Sequence, residues 1–294
     1  MLDERVEYVP IESGELWTAS SGHGDIGLLL CHGGPGMSDN LSAVAAMVDD
    51  MVTVHRFDQR ACGRSSGGSA EQNLDTAIAD IEALRRHWGY DKWIVGGHSW
   101  GAALSLFYTV AQSKRVQGVF YLSGVGSGEG PRMGVVREQR VVRARRLERL
   151  SESERAEFSA LRNSDAPRDV ARFAELMWLS DFADRTKVPD FVTDPLFEFP
   201  HNPVAARGLA YSATNRAAQR EFGPALRELN LPVLIAHGDE DPVPYTGAAR
   251  LTEMLPDARF AVLPGVGHDP WLEDPLTLRS VLREFIAELV ESGP

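Results

Sequence analysis

The segment Gly97-His98-Ser99-Trp100-Gly101 sets a serine between two glycines, each two residues away. The apolar run before it, Trp93–Gly97, reads as a strand, and Gly101–Gln112 after it reads as a helix. A serine on so tight a strand-to-helix turn projects its hydroxyl beyond the sheet edge, where it can attack a carbonyl. Gly97, Gly101, Ala102 and Ala103 keep bulk away from the point where strand and helix meet. The helix starts at the turn and aims the positive end of its dipole at the reacting group. The chemistry on offer is nucleophilic acyl transfer through Ser99. A serine that merely caps a helix would show the same five residues, so the assignment depends on partners elsewhere in the chain.

Acyl transfer needs N–H donors for the developing oxyanion, a base for the serine proton and an acid to orient that base. A glycine-rich loop, His32-Gly33-Gly34-Pro35-Gly36, follows the apolar run Gly27–Cys31. Gly34 is the expected donor from this loop: it stands just past the strand end and has no side chain to block approach, whereas Pro35 has no N–H. Trp100, the residue after the nucleophile, is the second expected donor. A phosphate-cradling loop would continue into Gly-Lys-Ser/Thr, and this one does not. His268, in Gly265-Val266-Gly267-His268-Asp269, is the candidate base. Asp239 and Asp241 both follow the strand candidate Pro232–His237, and the residues alone leave either as the acid. Asp239 is nearer the strand end, where its side chain can cap the turn. His32 and His237 read as braces of strand-end loops, and His98 as the variable position of the serine turn.

Bringing these groups together calls for a sheet whose strand ends converge. Strand candidates are Arg5–Val9, Glu15–Ala19, Gly27–Cys31, Val52–Asp58, Trp93–Gly97, Val116–Ser123, Pro232–His237 and Arg259–Leu263. Helical patterns near Leu41–Val48, Asn73–Trp88, Gly101–Gln112, Tyr245–Leu255 and Leu276–Val290 alternate with them. The alternation predicts a mostly parallel α/β sheet covered by helices on both faces, opened by two antiparallel strands. It breaks between about Gly124 and Gly223, a stretch of helical pattern rich first in Arg and Glu and then in aromatics, among them Phe173, Trp178, Phe182, Phe191, Phe197 and Phe199. This reads as a helical cap, residues 125–223, inserted between core segments 1–124 and 224–294, and 294 residues suffice for one such domain. A formal net charge of −12 disfavours a nucleic-acid partner. The N-terminus has no signal-peptide pattern, and no apolar run is long enough to cross a bilayer. With Cys31 and Cys62 as its two cysteines, expected to be reduced thiols, the chain reads as cytoplasmic and without a membrane partner.

His32-Gly33-Gly34-Pro35-Gly36, Asp58-Gln59-Arg60-Ala61-Cys62-Gly63-Arg64-Ser65 and Gly97-His98-Ser99-Trp100-Gly101 together resemble the proline iminopeptidase family of α/β-hydrolases. The resemblance is strong over roughly residues 25–125 and more generic over 230–290. It implies the α/β-hydrolase fold with a helical cap, a triad in the chain order Ser99, Asp241, His268, no cofactor, and release of an N-terminal residue, often proline, from short peptides or amides. It favours Asp241 over Asp239 as the acid. It also implies that Asp58, Arg60 and Arg64 brace loops rather than react. Relatives with the same motifs act on esters, lactones or other amides, so an esterase or lactonase is the first alternative. A non-hydrolytic ligand receptor on the same fold is the second.

An aminopeptidase must hold a free ammonium group, and the family places glutamates in the cap for this. Glu175, in Phe173-Ala174-Glu175-Leu176-Met177-Trp178, is the candidate here, with Glu198 and Glu221 further along. The family's usual Trp-Glu pairing is absent, which bears on proline specificity. Seven arginines between Arg132 and Arg149, interleaved with Glu138 and Glu148, read as a solvated, salt-bridged helix face. The run Gly124–Gly130 lacks dinucleotide-loop spacing and reads as the entry to the cap.

Overall fold

A computed structural model of the chain describes residues 4–67, 72–125, 132–162, 164, 166–189 and 199–292. Its centre is an eight-stranded sheet: β1 (Arg5–Ile11), β2 (Gly14–Ser21), β3 (Gly27–Cys31), β4 (Thr53–Phe57), β5 (Trp93–His98), β6 (Val116–Leu122), β7 (Val233–Gly238) and β8 (Ala258–Leu263). The spatial order is β1-β2-β4-β3-β5-β6-β7-β8. β1 and β2 pair antiparallel and β2 meets β4 antiparallel; every later pairing is parallel. The antiparallel start follows from the two-residue connection between β1 and β2, too short for a crossover.

The central strands are apolar without alternation because both faces are covered. Leu29, Cys31, Val95, Val119, Tyr121 and Ile235 point to one face, where they pack with α2 (Leu74–His87), α3 (Trp100–Ala111) and α9 (Tyr245–Thr252). Leu28, Leu30, Ile94, Phe120, Leu122 and Leu234 point to the other, against α1 (Ser42–Ala45) and α11 (Pro275–Glu291). The eight predicted strands are all present, within two residues at each end. The helix expected near Leu41–Val48 is shorter, a four-residue α1 continuing into turns, and a four-residue α10 (Pro270–Glu273) precedes α11.

Between β6 and β7 the regular elements among the described residues are helical: α4 (Arg132–Arg149), α5 (Glu152–Leu161), α6 (Pro167–Asp181), a 3-10 turn at Arg185–Lys187, α7 (Pro203–Ala217) and α8 (Phe222–Arg227). Ser151 opens α5 with a capping box closed by Glu154. Leu150, Phe158 and Leu176 form a small apolar centre joining α4, α5 and α6. The latter part of the insert behaves differently. Leu209, Ala213 and Ala217 of α7 and Phe222 and Leu226 of α8 belong to the main core on the α2–α3 face. Phe191, Phe197, Glu198 and Gly126–Gly130 lie outside the described residues.

Candidate active site

The residues singled out as nucleophile, donors, acid and base all follow the carboxyl ends of parallel strands, where a doubly wound sheet forms its crevice. Ser99 joins β5 to α3 with φ 54 and ψ −114, a conformation that costs a non-glycine residue on the order of 1–3 kcal/mol. Its N–H is held by Leu122 O at 2.9 Å. The flanking glycines are sterically required. A Cβ on Gly97 would lie 2.4 Å from the Gly101 carbonyl carbon, and one on Gly101 would lie 1.9 Å from Cys31 O. Ser99 itself is half-buried while its neighbours His98 and Trp100 are buried, so the turn opens only at the serine.

The glycine-rich loop after β3 lies against this turn. A Cβ on Gly33 would lie 3.5 Å from Ser99 Cβ and 3.1 Å from His98 Nδ1. Gly34 is exposed, with φ +122, a backbone that favours glycine. Trp100 opens α3, and the first N–H groups of a helix have no partner within it. The pairing of β3 with β5 thus brings the loop that holds Gly34 against the turn that holds Ser99 and Trp100.

Asp241 Oδ2 accepts a hydrogen bond from His268 Nδ1 at 2.8 Å, and Asp241 is fully buried. Its second oxygen accepts from Val243 N at 2.7 Å, and His237 Nε2 lies 3.1 Å from Oδ2 while donating to Val243 O at 2.9 Å. Asp239 has a separate task. It accepts from Gly265 N at 2.7 Å and so ties the β7 turn to the one after β8. Burial works against charge at His268, but Asp241's negative charge and hydrogen bond outweigh it and raise the imidazole's pKa above its usual value. Burial likewise works against the Asp241 carboxylate, and His268 and His237 overcome it, holding Asp241 well below the usual carboxylate range. The pair therefore favours an imidazolium next to a carboxylate, the state a serine-derived proton would create.

His98 joins the Ser99 turn to His268. Its Nε2 donates to His268 O at 2.8 Å, its ring lies 4.6 Å from the His268 ring, and Trp271 packs edge-on at 4.7 Å. Burial, reinforced by the neighbouring His268, drives the His98 pKa well down and keeps it neutral.

The other sequence-selected residues have partners of their own. Asp58 accepts from Asp39 N and Arg64 N, each at 2.7 Å, and the Arg64 guanidinium lies 3.3 Å from the centre of the Trp17 ring. Arg60 Nε donates to Asp80 at 2.9 Å. Glu175, on α6, is paired at 2.7 Å with Arg172, which also holds Glu157 at 2.8 Å. Glu221 precedes α8 and makes no side-chain cap there.

The arginine-rich helix departs from the solvated face expected of it. Arg145 donates to Asp241 O at 3.0 Å. Arg146 is buried, 2.6 Å from the Asp181 carboxylate, and donates to Ser180 Oγ and Met177 O at 3.0 Å. Arg149 donates to Ser180 O and Asp181 O at 3.3 Å. Asp181 O in turn accepts from His268 N at 2.8 Å. These guanidiniums bond backbone carbonyls beside Asp241 and His268, a role that charge spacing along one helix cannot reveal. Sequence reasoning also passed over Gln59, whose Oε1 accepts from Trp100 Nε1 at 2.9 Å, and Glu273, which accepts from Gly267 N at 2.6 Å and Ala183 N at 2.7 Å.

With this geometry in view, the sequence model of the alpha/beta hydrolase fold matches residues 28–275. The chain is 27% identical to a proline iminopeptidase of Lactobacillus delbrueckii subsp. lactis, over 88% of this chain and 89% of that one. Its fold is similar to that of a proline iminopeptidase from Mycobacterium smegmatis, with TM-score 0.70, 20% identity and coverage of 99% and 100% of the two chains. It is similar also to 2-hydroxy-6-oxo-6-phenylhexa-2,4-dienoate hydrolase from Rhodococcus sp. strain RHA1, with TM-score 0.74, 22% identity and coverage of 98% and 100%.

Proposed function

The chain belongs to the alpha/beta hydrolase fold family, and on that premise we propose that it is a serine hydrolase working through Ser99, His268 and Asp241. The observation that carries this reading is the 2.8 Å bond between His268 Nδ1 and buried Asp241 Oδ2, beside a serine held on a strained turn. Ser99 Oγ attacks the substrate carbonyl carbon and His268 Nε2 takes its proton. The oxyanion is received by the N–H groups of Trp100 and Gly34. As the tetrahedral adduct collapses, His268 returns the proton to the leaving group, leaving an acyl-enzyme. Water, deprotonated by the same histidine, then releases the acid and restores Ser99.

Among substrates, we propose an amide with a free N-terminal residue, proline or similar, on the strength of the similarity to proline iminopeptidases. Glu175 is the proposed anchor for the substrate's ammonium group. The pairing of Glu175 with Arg172 is the observation that favours a second reading, an esterase or lactonase, because a carboxylate already neutralised is a weaker anchor. A fluorophosphonate probe should label the wild type at Ser99 and leave Ser99→Ala unlabelled; an unlabelled wild type would refute the serine-hydrolase reading. L-proline p-nitroanilide assayed against p-nitrophenyl acetate and a small lactone then decides the substrate class.

A further inference from the structure

We propose that His32 and Gln59 are positioning residues that aim the two N–H donors of the oxyanion hole, an inference that rests on the serine-hydrolase reading above. Gln59 N donates to His32 Nε2 at 3.0 Å. A backbone amide can only donate, so Nε2 carries the lone pair and the neutral ring must carry its proton on Nδ1. Burial lowers the His32 pKa, outweighing the nearby Asp58 and Asp39 charges, so the ring stays neutral. Nδ1–H is then the donor in the 2.8 Å bond to Gly33 O.

That bond fixes more than a carbonyl. Gly33 O and Gly34 N belong to one planar trans peptide, whose C=O and N–H point in opposite directions. Holding Gly33 O toward buried His32 turns the Gly34 N–H outward, on the exposed side of a loop that packs against Ser99. The tautomer of a histidine that meets no substrate thereby decides which way an oxyanion donor faces.

The Gln59 side chain serves the other donor. Trp100 Nε1 is an indole N–H and can only donate, so the oxygen of the Gln59 amide must face it, at 2.9 Å. The amide nitrogen then donates to His32 O at 2.9 Å. One glutamine therefore links the residue that carries the second donor N–H to the end of β3, from which the first donor's loop departs. Both Gln59 and His32 are buried.

A merely structural brace would respond to loss of either ring nitrogen. An aiming role depends on Nδ1 far more than on Nε2. Asparagine at position 32 puts an amide where Nδ1 was and can still donate to Gly33 O. Glutamine reaches where Nε2 was and cannot. With p-nitrophenyl acetate, His32→Gln should lower kcat about 10–100-fold at nearly constant KM, the mark of an interaction made in the transition state, and His32→Asn should recover most of that loss. Inhibition by phenylboronic acid, whose tetrahedral adduct places an oxyanion in the hole, should weaken in parallel. ¹⁵N NMR of the wild type should show His32 neutral with its proton on Nδ1, a measurement that needs neither a variant nor a substrate. A proton on Nε2, equal losses in the two variants, or an unchanged kcat in His32→Gln would overturn the proposal. A wild type that neither hydrolyses the ester nor reacts with the fluorophosphonate would overturn the serine-hydrolase reading and this role with it, while the NMR tautomer would stand as a separate structural result.

Discussion

Asp241 Oδ2 and His268 Nδ1 lie 2.8 Å apart in a pair whose carboxylate is wholly buried. In the proposed mechanism His268 must be neutral to accept the Ser99 proton, and Asp241 raises its pKa despite the burial that opposes this. The sign follows: activity is low where the imidazole is protonated and rises with pH through the shifted pKa. The acidic limb of kcat/KM for p-nitrophenyl acetate should therefore have a midpoint above the ordinary histidine value of about 6.5. Asp241→Asn removes the charge that raises the pKa, so the midpoint should move to lower pH. It also presents the wrong hydrogen-bonding partner to Nδ1, and kcat should fall by about 10⁴-fold. An acidic limb that stays in place in Asp241→Asn would contradict the pairing.

Two glycines should fail for different reasons when replaced by alanine. At Gly101 the new Cβ would sit 1.9 Å from Cys31 O and 2.5 Å from His32 O, all on fixed backbone, so α3 must part from β3. A loss of about 3 kcal/mol or more is expected, at the upper end of overpacking costs. At Gly89, after α2, φ is +76 and nothing lies within 4 Å. Alanine there should cost only about 1–2 kcal/mol, from the left-handed backbone. Urea unfolding midpoints of the two variants check the contrast, and Gly101→Ala should also lose activity because the turn carrying Ser99 moves.

The strands and the serine turn were legible because their signals are local. Apolar runs bounded by turn residues mark β3, β5 and β7, and the steric demand at Gly97 and Gly101 is written into the residues themselves. The residues alone did not say which aspartate pairs with His268. Asp239 and Asp241 are two positions apart, and only the fold shows one bonded to Gly265 N and the other to His268. Arg145, Arg146 and Arg149 looked like a charged surface because their partners, Asp241 O, Asp181 and Ser180 O, are 31 to 96 residues away. The same holds for Gln59, which meets Trp100 over 41 residues. The inserted segment was also less uniform than its pattern, since α7 turns a small-residue face of Ala213 and Ala217 into the main core.

Arg60 and Asp80 form a buried pair, 6% and 5% exposed, closed by a 2.9 Å bond from Arg60 Nε. Arg60 also donates to the Glu12 carbonyl. Removing only the guanidinium leaves a buried carboxylate without its counter-charge. Arg60→Met should therefore destabilise the fold by about 3–5 kcal/mol. Arg60→Met combined with Asp80→Leu should recover much of that loss, since the stranded charge goes too. Chemical denaturation of both variants measures this, and a double variant no better than the single one would show that packing, not charge, dominates here.

Glu175 offers the sharpest division between an amine-binding peptidase and an esterase. Its carboxylate lies 2.7 Å from Arg172, and Arg172 lies 2.8 Å from Glu157 as well. Glu175→Gln should therefore fold normally, because the Arg172–Glu157 bridge between α6 and α5 can remain and the ion pair lost is part-exposed, worth about 1 kcal/mol or less. If Glu175 holds the substrate's ammonium, a neutral amide in its place weakens a charge-assisted contact by roughly 1.5 kcal/mol, and kcat/KM for L-proline p-nitroanilide should drop about tenfold. p-Nitrophenyl acetate has no amine and should be hydrolysed at the wild-type rate. Equal effects on both substrates would mean that the variant disturbs the packing of α6 as a whole. No effect on either would leave Glu175 as a partner of Arg172 alone and move the substrate assignment to the ester or lactone class.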